Sequence, residues 1–483
     1  MEKPLGAILL AAGLGTRMRS ARAKVLHELS GEPMIARTLR AIAALEPDPL
    51  IVVVGHQARE VEDLARRALP SAHLRFALQP EQRGTGDAAR RALASLPLAF
   101  AGDLLIGCGD MPRLETATLR RFVADHCARG LTLSFISMTL DDPGDYGRVV
   151  RDRDGAVSAI VEARDAAPAE REIKEVNTGI YLAEARFLHS ALAEITSDNA
   201  QQEFYVTDII AIARRRGVRV NAWKAAHADE FAGINSREEL ARMDTQIRDQ
   251  TNRRLMAAGV TLIDPATAYI GPEAEIGRDT TIGPNVQISG RSRIGAGVVI
   301  EGTAWLRDVV IGDRCHLKLG VRAEKCLIGD ECEIGPFANL REGTQLEGHN
   351  RIGNFVETKQ AKIGRGSKAS HLSYLGDATI GRDTNVGCGV ITVNYDGYDK
   401  HQTRIGDNCM VGCDTQLIAP IAIGNDVYVA SGATLVRDVA DGALVMSEHP
   451  QREKAGWTAD WHQRHANHPK ARRRAGSEDS SRD

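Results

Sequence analysis

Between Ile270 and Leu435 an aliphatic residue recurs at every sixth position in long runs: Ile270, Ile276, Ile282, Ile288, Ile294 and Ile300; Ile328, Ile334, Leu340, Leu346 and Ile352; then Ile405, Val411, Leu417, Ile423, Val429 and Leu435. A helix repeats every ~3.6 residues and a strand every ~2, so neither accounts for this beat. It predicts a parallel β-helix, in which each short strand turns one aliphatic residue inward, three strands close a coil, and stacked coils merge these residues into a column. Gly often follows the aliphatic, as in Ile276-Gly277 and Ile423-Gly424, where a corner needs backbone room or positive φ. The beat fails around Ser370 to Tyr374 and again from Asn394 to Arg404, where a loop is expected to leave the column.

Before about residue 235 the pattern is different. Residues 7–11, 50–54, 104–106 and 132–137 are short apolar runs separated by helical stretches such as 58–69 and 116–128. Such alternation predicts βαβ units and a parallel sheet, whose ligands bind beyond the carboxyl ends of the strands. Ser236 followed by Glu239 is a capping-box pattern, and Leu240, Met243, Ile247 and Leu255 form the apolar stripe of a helix running to Ala258. The expected divisions are 1–235, a linker helix 236–259, a coil domain 260–450 and a tail 451–483. In the tail Trp457 and Trp461 are expected to pack, while Lys470-Ala-Arg-Arg-Arg and the acidic, Ser-rich end read as disordered.

Composition narrows the classes. At 483 residues the chain is long enough for two or three domains, and its net charge of −3 makes no general case for nucleic acid. No apolar run reaches membrane-spanning length, and the stretch 7–12 leads into Gly-Leu-Gly-Thr-Arg rather than a cleavage site, so it reads as a buried first strand. The eight Cys (108, 127, 315, 326, 332, 388, 409, 413) include no CxxC pair. That argues against a zinc site and for free thiols in a reducing cytoplasm.

Candidate chemistry gathers in two places. The first strand leads into Leu10-Ala11-Ala12-Gly13-Leu14-Gly15-Thr16-Arg17-Met18, followed by Lys24-Val25-Leu26. Small residues let backbone N–H groups approach a polyphosphate, with Arg17 and Lys24 as fixed charge; the spacing fits neither GxGxxG nor GxxxxGK[ST]. Asp110 follows an apolar run and is either a magnesium ligand or a turn residue. The segment from Gln79 to Gly86 is either an ordinary polar loop or an amide and tight turn that read a pyrimidine edge. In the coil, His371 stands with Arg341, Lys359, Tyr374, Asn385, Asn394, Tyr395 and Lys400, a polar set that packing does not require. The coil by itself is either an acyltransferase scaffold or an oligomerisation platform.

The glycine loop resembles the GxGTR...PK[VL] signature of sugar-1-phosphate nucleotidyltransferases, with Ala23 in place of the usual Pro. From about residue 5 to about 458 the chain resembles the bacterial family of bifunctional N-acetylglucosamine-1-phosphate uridyltransferases/glucosamine-1-phosphate N-acetyltransferases. The resemblance implies an α/β, Rossmann-like nucleotidyltransferase domain, a linker helix, and a left-handed parallel β-helix of hexapeptide repeats. It implies that Leu10, Ala11, Ala12, Gly13, Lys24, Gln79, Gly84 and Thr85 bind UTP, that Asp110 and Asn235 hold Mg2+, and that Gly147, Glu162 and Asn177 hold the N-acetyl sugar. Cys108 stands where close relatives often carry Tyr.

For the coil, it implies that His371 is the general base that takes a proton from glucosamine-1-phosphate, whose amine attacks the thioester of acetyl-CoA. Arg341 and Lys359 would clamp the sugar phosphate, Lys400 would reach a neighbouring subunit, Tyr374, Asn385 and Asn394 would orient the substrate, and Tyr395 belongs to the same set. Cys388, Cys413, Ser431 and Glu448 fall at acetyl-CoA positions, and Glu448 replaces an Arg that would face the CoA phosphates; Arg437, His449 and Arg452 are candidate substitutes. The family also implies a cytoplasmic homotrimer with no nucleic-acid or membrane partner. Two rivals are an ADP-glucose or GDP-mannose pyrophosphorylase, whose shorter coil lacks the His371 set, and a non-catalytic scaffold, which the presence of Lys24, Asp110 and His371 disfavours.

Overall fold

The computed structural model describes residues 3–97, 99–447 and 452–467, and the chain divides into two compact units, 1–314 and 315–483. Glu448, His449 and the run from Lys470 to Arg474 lie outside the described residues.

In the first unit the apolar runs become strands β1 (Leu5–Leu10), β2 (Leu50–Val54), β3 (Leu74–Leu78), β4 (Asp103–Cys108) and β5 (Leu133–Thr139). They are joined by β6 (Arg148–Arg151), β7 (Val157–Val161), β8 (Glu175–Glu184) and β9 (Val220–Lys224). The order across the main path is β9-β5-β8-β4-β1-β2-β3, with β6 and β7 as a hairpin off β8. Period-two alternation buries both faces. Ala7, Leu9, Val52 and Leu105 pack against α1 (Met34–Ala43), α2 (Ala58–Ala68) and α4 (Thr116–Ala128). Ile8, Leu10, Val53 and Ile106 pack against α3 (Thr85–Ala94), α5 (Ala185–Glu194) and α6 (Asp208–Arg215).

The sheet departs from the predicted parallel arrangement on one side. Strand β8 runs antiparallel to both β4 and β5, and β6 is antiparallel to β7 and β8. A parallel return needs a crossover of about a dozen residues or more, usually a helix, and here the hairpin occupies that stretch of chain. On the other side β1, β2, β3 and β4 are parallel, and the chain passes from β3 through α3 to β4 across β1. That reversal opens a crevice at the carboxyl ends of β1 and β4. Helix α7 (Arg237–Ala257) starts at the predicted Ser236 cap and buries Met243, Ile247 and Leu255.

Short parallel strands follow, pairing Ile270 with Ile288, Ile276 with Ile294 and Ile282 with Ile300 in the first unit. In the second unit Ile334 pairs with Ile352, Ile363 with Ile380, and Val411 with Val429. The column also runs on through Ala369, Leu375 and Val386, so residues 370–374 do not interrupt it as expected. The strands there are only one residue out of beat, and small or polar inward residues such as Thr358 and Thr392 hide the period from a hydrophobicity reading. The loop after Asn394 does leave, and the ladder resumes with Ile380 beside Ile405.

Each unit has a second set of buried residues two positions before the aliphatic ones, Thr280 and Ser292 in the first and Cys326, Cys332, Thr344, Ser367, Thr384 and Cys409 as a column in the second. The polar members satisfy corner carbonyls, as when Thr280 donates to Gly295 O at 2.8 Å and Ser367 to Gly381 O at 2.6 Å. Most glycines after the aliphatics are needed for room rather than for positive φ, Gly335 at φ 94° being an exception. A Cβ on Gly283 would come within 1.9 Å of Glu301 O in the next coil, whereas positive φ at corners is carried by residues such as Asn285, Phe337 and Phe355. In the tail, α8 (Trp457–Arg464) stacks Trp457 on Trp461 with centroids 5.2 Å apart, so these rings pack on each other and stay half exposed.

Candidate functional site

A cavity of about 380 Å³ opens at the carboxyl ends of β1 and β4, lined by Leu10 to Thr16, Lys24, Gln79, Gly84, Thr85, Cys108 and Asp110. Lys24 is its electrostatic centre. Its ammonium donates to Asp110 Oδ2 at 2.5 Å and to Asn235 Oδ1 at 3.0 Å. Two hard oxygens from distant parts of the chain thus converge on one cation, which is the donor chemistry that suits magnesium. Local structure explains the convergence. Ile234 N donates to Asp110 O at 3.1 Å, and Glu239 of the α7 capping box accepts from Asn235 N at 2.6 Å. The cap that starts the helix therefore also fixes Asn235.

Gln79 is buried and its amide nitrogen donates to Gly84 O at 3.0 Å and Asp87 Oδ2 at 2.9 Å. Its amide oxygen is what remains to offer a ligand, an acceptor for an N–H edge. Gly84 has φ 101°, and a Cβ there would lie 2.5 Å from Phe204 O, so the turn that starts α3 requires glycine. Thr85 accepts from Val206 N at 3.1 Å.

The sugar candidates assemble on the β6–β8 side. Asn177 lies where the β8 register shifts, a bulge that re-aims side chains. It donates to Tyr181 OH at 2.6 Å and accepts from Gly179 N at 3.1 Å, while its backbone N donates to Gly147 O at 2.8 Å. A Cβ on Gly147 would meet Ile160 at 2.9 Å, with the Glu162 oxygens 3.6 Å away. Burial raises the Glu162 carboxyl, opposed by Thr207, which donates to it at 3.1 Å. Burial also pushes the Cys108 thiol up to about 12, which favours the neutral thiol. Arg17 is not in the cavity lining: it is turned to the exposed Asp145, with which it pairs.

The coil candidates occupy two corners of the second unit. His371 ends the strand Lys368–His371 beside Asn354, is exposed, and its imidazole has no hydrogen-bond partner among the described residues. Ladder bonds carry the same corner onward, Gly389 N to Leu372 O, Asp414 N to Cys388 O and Gly432 N to Cys413 O, each at 2.7–2.8 Å. Cys413 N also donates to Ser431 Oγ at 3.2 Å, so Cys388, Cys413 and Ser431 form a file leading away from His371. In the other direction the corner bears exposed Phe337 and Phe355, stacked at 5.8 Å, and Leu372.

The next corner is cationic. Lys359 lies against Lys400, and this contact, with Arg341 nearby, lowers the Lys359 ammonium below its ordinary value while Asp377 opposes. Lys400 thus meets Lys359 within one chain. Arg341 donates to Glu357 at 2.7 Å, and Asn394, buried, donates to Asp377 at 2.5 Å. Tyr374 folds over Gly376, and Asn385 donates to Met410 Sδ at 3.2 Å. Tyr395 pairs with Lys400 across the extruded loop, and His401 contacts Asp396 at 2.7 Å, holding that carboxyl below its ordinary value. The sequence reading missed Glu239, Thr207, Tyr181 and Asp377, the partners that hold the candidates. Only Glu239 had a local signal, in the capping box.

Known proteins with matching features bear on both units. A model of the MobA-like NTP transferase domain matches residues 7–143, one of the GMPPB C-terminal domain matches 265–347, and one of bacterial transferase hexapeptides (six repeats) matches 402–437. The coil is accordingly the left-handed β-helix of hexapeptide proteins. Full-length similarity is strong. The proteins named "Bifunctional protein GlmU" of Trichlorobacter lovleyi and Pelobacter propionicus are 45% and 46% identical, over 93% and 94% of this chain and 97% and 98% of theirs. That of Streptomyces avermitilis is 41% identical over 95% of this chain and 94% of its own.

Proposed function

Because the chain belongs to the bifunctional GlmU family, we propose that its two candidate sites divide consecutive steps of UDP-N-acetylglucosamine synthesis. It is a bifunctional enzyme, a nucleotidyltransferase and an acyltransferase in one chain. The divisions 1–235, 236–259, 260–450 and 451–483 are the functional limits of this reading. The observation that carries it is the presence in one chain of the Lys24, Asp110 and Asn235 cluster at a parallel-sheet crevice and of an exposed His371 in line with a file of small residues.

In the coil, glucosamine-1-phosphate binds with its phosphate at Arg341, Lys359 and Lys400. Two ammonium groups in contact are repulsive, and a phosphate dianion relieves that repulsion. Tyr374, Asn385, Asn394 and Tyr395 orient the sugar. His371 accepts the proton from the amine, the amine attacks the acetyl-CoA thioester, and the CoA thiol leaves as that proton is passed on. Acetyl-CoA lies along Cys388, Cys413 and Ser431, with Glu448 weakening the phosphate end.

In the crevice, the phosphate of N-acetylglucosamine-1-phosphate attacks the α-phosphorus of UTP and pyrophosphate leaves. The attacking group is already an anion, so positioning and charge neutralisation are the work. Backbone from Leu10 to Gly13 and the Gly84-Thr85 turn cradle the nucleotide, and the Gln79 oxygen accepts from the uracil N–H. Lys24 and Arg17 neutralise phosphate, while Gly147, Glu162 and Asn177 hold the acetylated sugar. Asp110 and Asn235 would hold Mg2+, which supplies charge neutralisation when bound.

A homotrimer in the cytoplasm completes the reading. It is supported by the exposed Phe337, Phe355 and Leu372 beside His371, a face that a second subunit would cover, and by the family. No described helix is long and apolar enough to cross a membrane. The test supplies UTP, magnesium, acetyl-CoA and glucosamine-1-phosphate together and follows UDP-N-acetylglucosamine, omitting one component at a time. Product without acetyl-CoA, or without UTP, would refute the assignment.

A further inference from the structure

Both cations that face phosphate in the proposed uridylyl transfer are tied to a carboxylate in this structure, and the two ties differ in kind. Lys24 and Asp110 form a nearly enclosed pair, with side chains 14% and 16% exposed, and Asp110 has a second task as a metal ligand. Arg17 and Asp145 form an open pair, 52% and 81% exposed, and Asp145 has no other partner among the described residues.

The turn that carries Asp145 is held firmly. Arg148 donates to the carbonyls of Gly144, at 3.0 Å, and of Tyr146. Tyr146 OH accepts from Gly233 N at 3.2 Å, two residues before Asn235. Gly147 O accepts from Asn177 N at 2.8 Å. The turn is therefore anchored to the metal-ligand segment and to the sugar wall, and its one free side chain reaches across to the glycine loop. Its effect is to hold the guanidinium away from the cavity lined by Gly13, Gly15 and Thr16.

We propose that Asp145 is a positioning residue that competes with the nucleotide's phosphates for Arg17. The proposal rests on the reading of Arg17 as a phosphate contact. When UTP enters, the guanidinium exchanges one carboxylate for a triphosphate of higher charge, and Asp145 is left to water, which an exposed carboxylate tolerates. The competition raises the UTP concentration needed for half-saturation and leaves the chemical step alone. Exposed ion pairs of this kind shift an equilibrium by about 1.5- to 5-fold and weaken in salt.

The experiment measures pyrophosphate release against UTP for the parent enzyme, Arg17→Ala, Asp145→Asn and the double variant, at low and high ionic strength, with thermal unfolding as the folding control. The expected result is a raised KM for UTP in Arg17→Ala and a KM lowered about 1.5- to 5-fold in Asp145→Asn with kcat unchanged. The gain should shrink in salt and vanish in the Arg17→Ala background. An unchanged KM in Arg17→Ala removes the phosphate role of Arg17 and the proposal with it. A raised KM there beside no effect of Asp145→Asn overturns the proposal alone. So does an Asp145→Asn effect that survives in the double variant, which would make Asp145 a general negative charge.

Discussion

In the crevice of the first unit the candidate side chains already have partners within the protein: Lys24 with Asp110 and Asn235, Gln79 with Asp87, Asn177 with Tyr181, Glu162 with Thr207. At the His371 corner of the second unit the imidazole meets no partner among the described residues, and its neighbours Leu372 and Phe355 are each 61% exposed. The difference follows from burial. Polar groups taken out of water must be hydrogen-bonded, so the crevice is organised before its ligands arrive, and a ligand that takes up Lys24 or Asp110 must displace an internal partner. An exposed corner carries no such requirement, so its organisation is left to the substrates and to whatever covers it.

The largest test of this contrast is His371→Ala, expected to lower acetyl transfer by about a hundred- to ten-thousandfold while uridylyl transfer from supplied N-acetylglucosamine-1-phosphate persists. Retained acetylation would put the base elsewhere. Asp110→Ala is the mirror image: uridylyl turnover should fall about a hundred- to thousandfold with acetyl transfer retained, and equal loss of both would refute independent sites. If the exposed corner is completed by another subunit, Phe337→Glu with Phe355→Glu should give monomers by light scattering and lower acetyl transfer by about tenfold or more, uridylyl transfer being little changed.

Smaller effects probe how each site is supported. Glu239→Ala removes the acceptor that holds Asn235 N at 2.6 Å and should raise the magnesium needed for half-maximal uridylyl transfer by about tenfold. Glu448→Arg should lower the KM for acetyl-CoA by about two- to fivefold, and no change would dismiss Glu448 as a determinant.

Legibility in the sequence follows the same division between local and distant causes. The coil was readable because each strand turns an aliphatic residue inward at a fixed spacing, and the crevice because a glycine-rich turn and a strand-end Asp are local signals. The second column escaped notice because Cys326, Thr344 and Ser367 are small or polar and do not register as core. Residues 370–374 looked like an interruption for a related reason: the beat shortens by one residue on either side, from Thr358 to Ile363 and from Leu375 to Ile380, while Ala369 and Leu375 keep the stack. The antiparallel course of β8 was hidden because strand direction is settled by tertiary partners. The Arg17–Asp145 pair joins residues 128 apart, beyond any local pattern.

One coil normally takes 17 or 18 residues, as from Leu346 to Ile363 or Ile334 to Ile352, yet the coil holding the extruded loop takes 25, from Ile380 to Ile405, and its ladder still closes. The strands on either side meet as they would without the excursion, and lengthening such a loop costs little closure entropy. Reach and register are therefore independent variables in this rod. Residues such as Tyr395 and Lys400 can be carried farther out or drawn closer in by changing the length of the loop, with the stack below unaware of it.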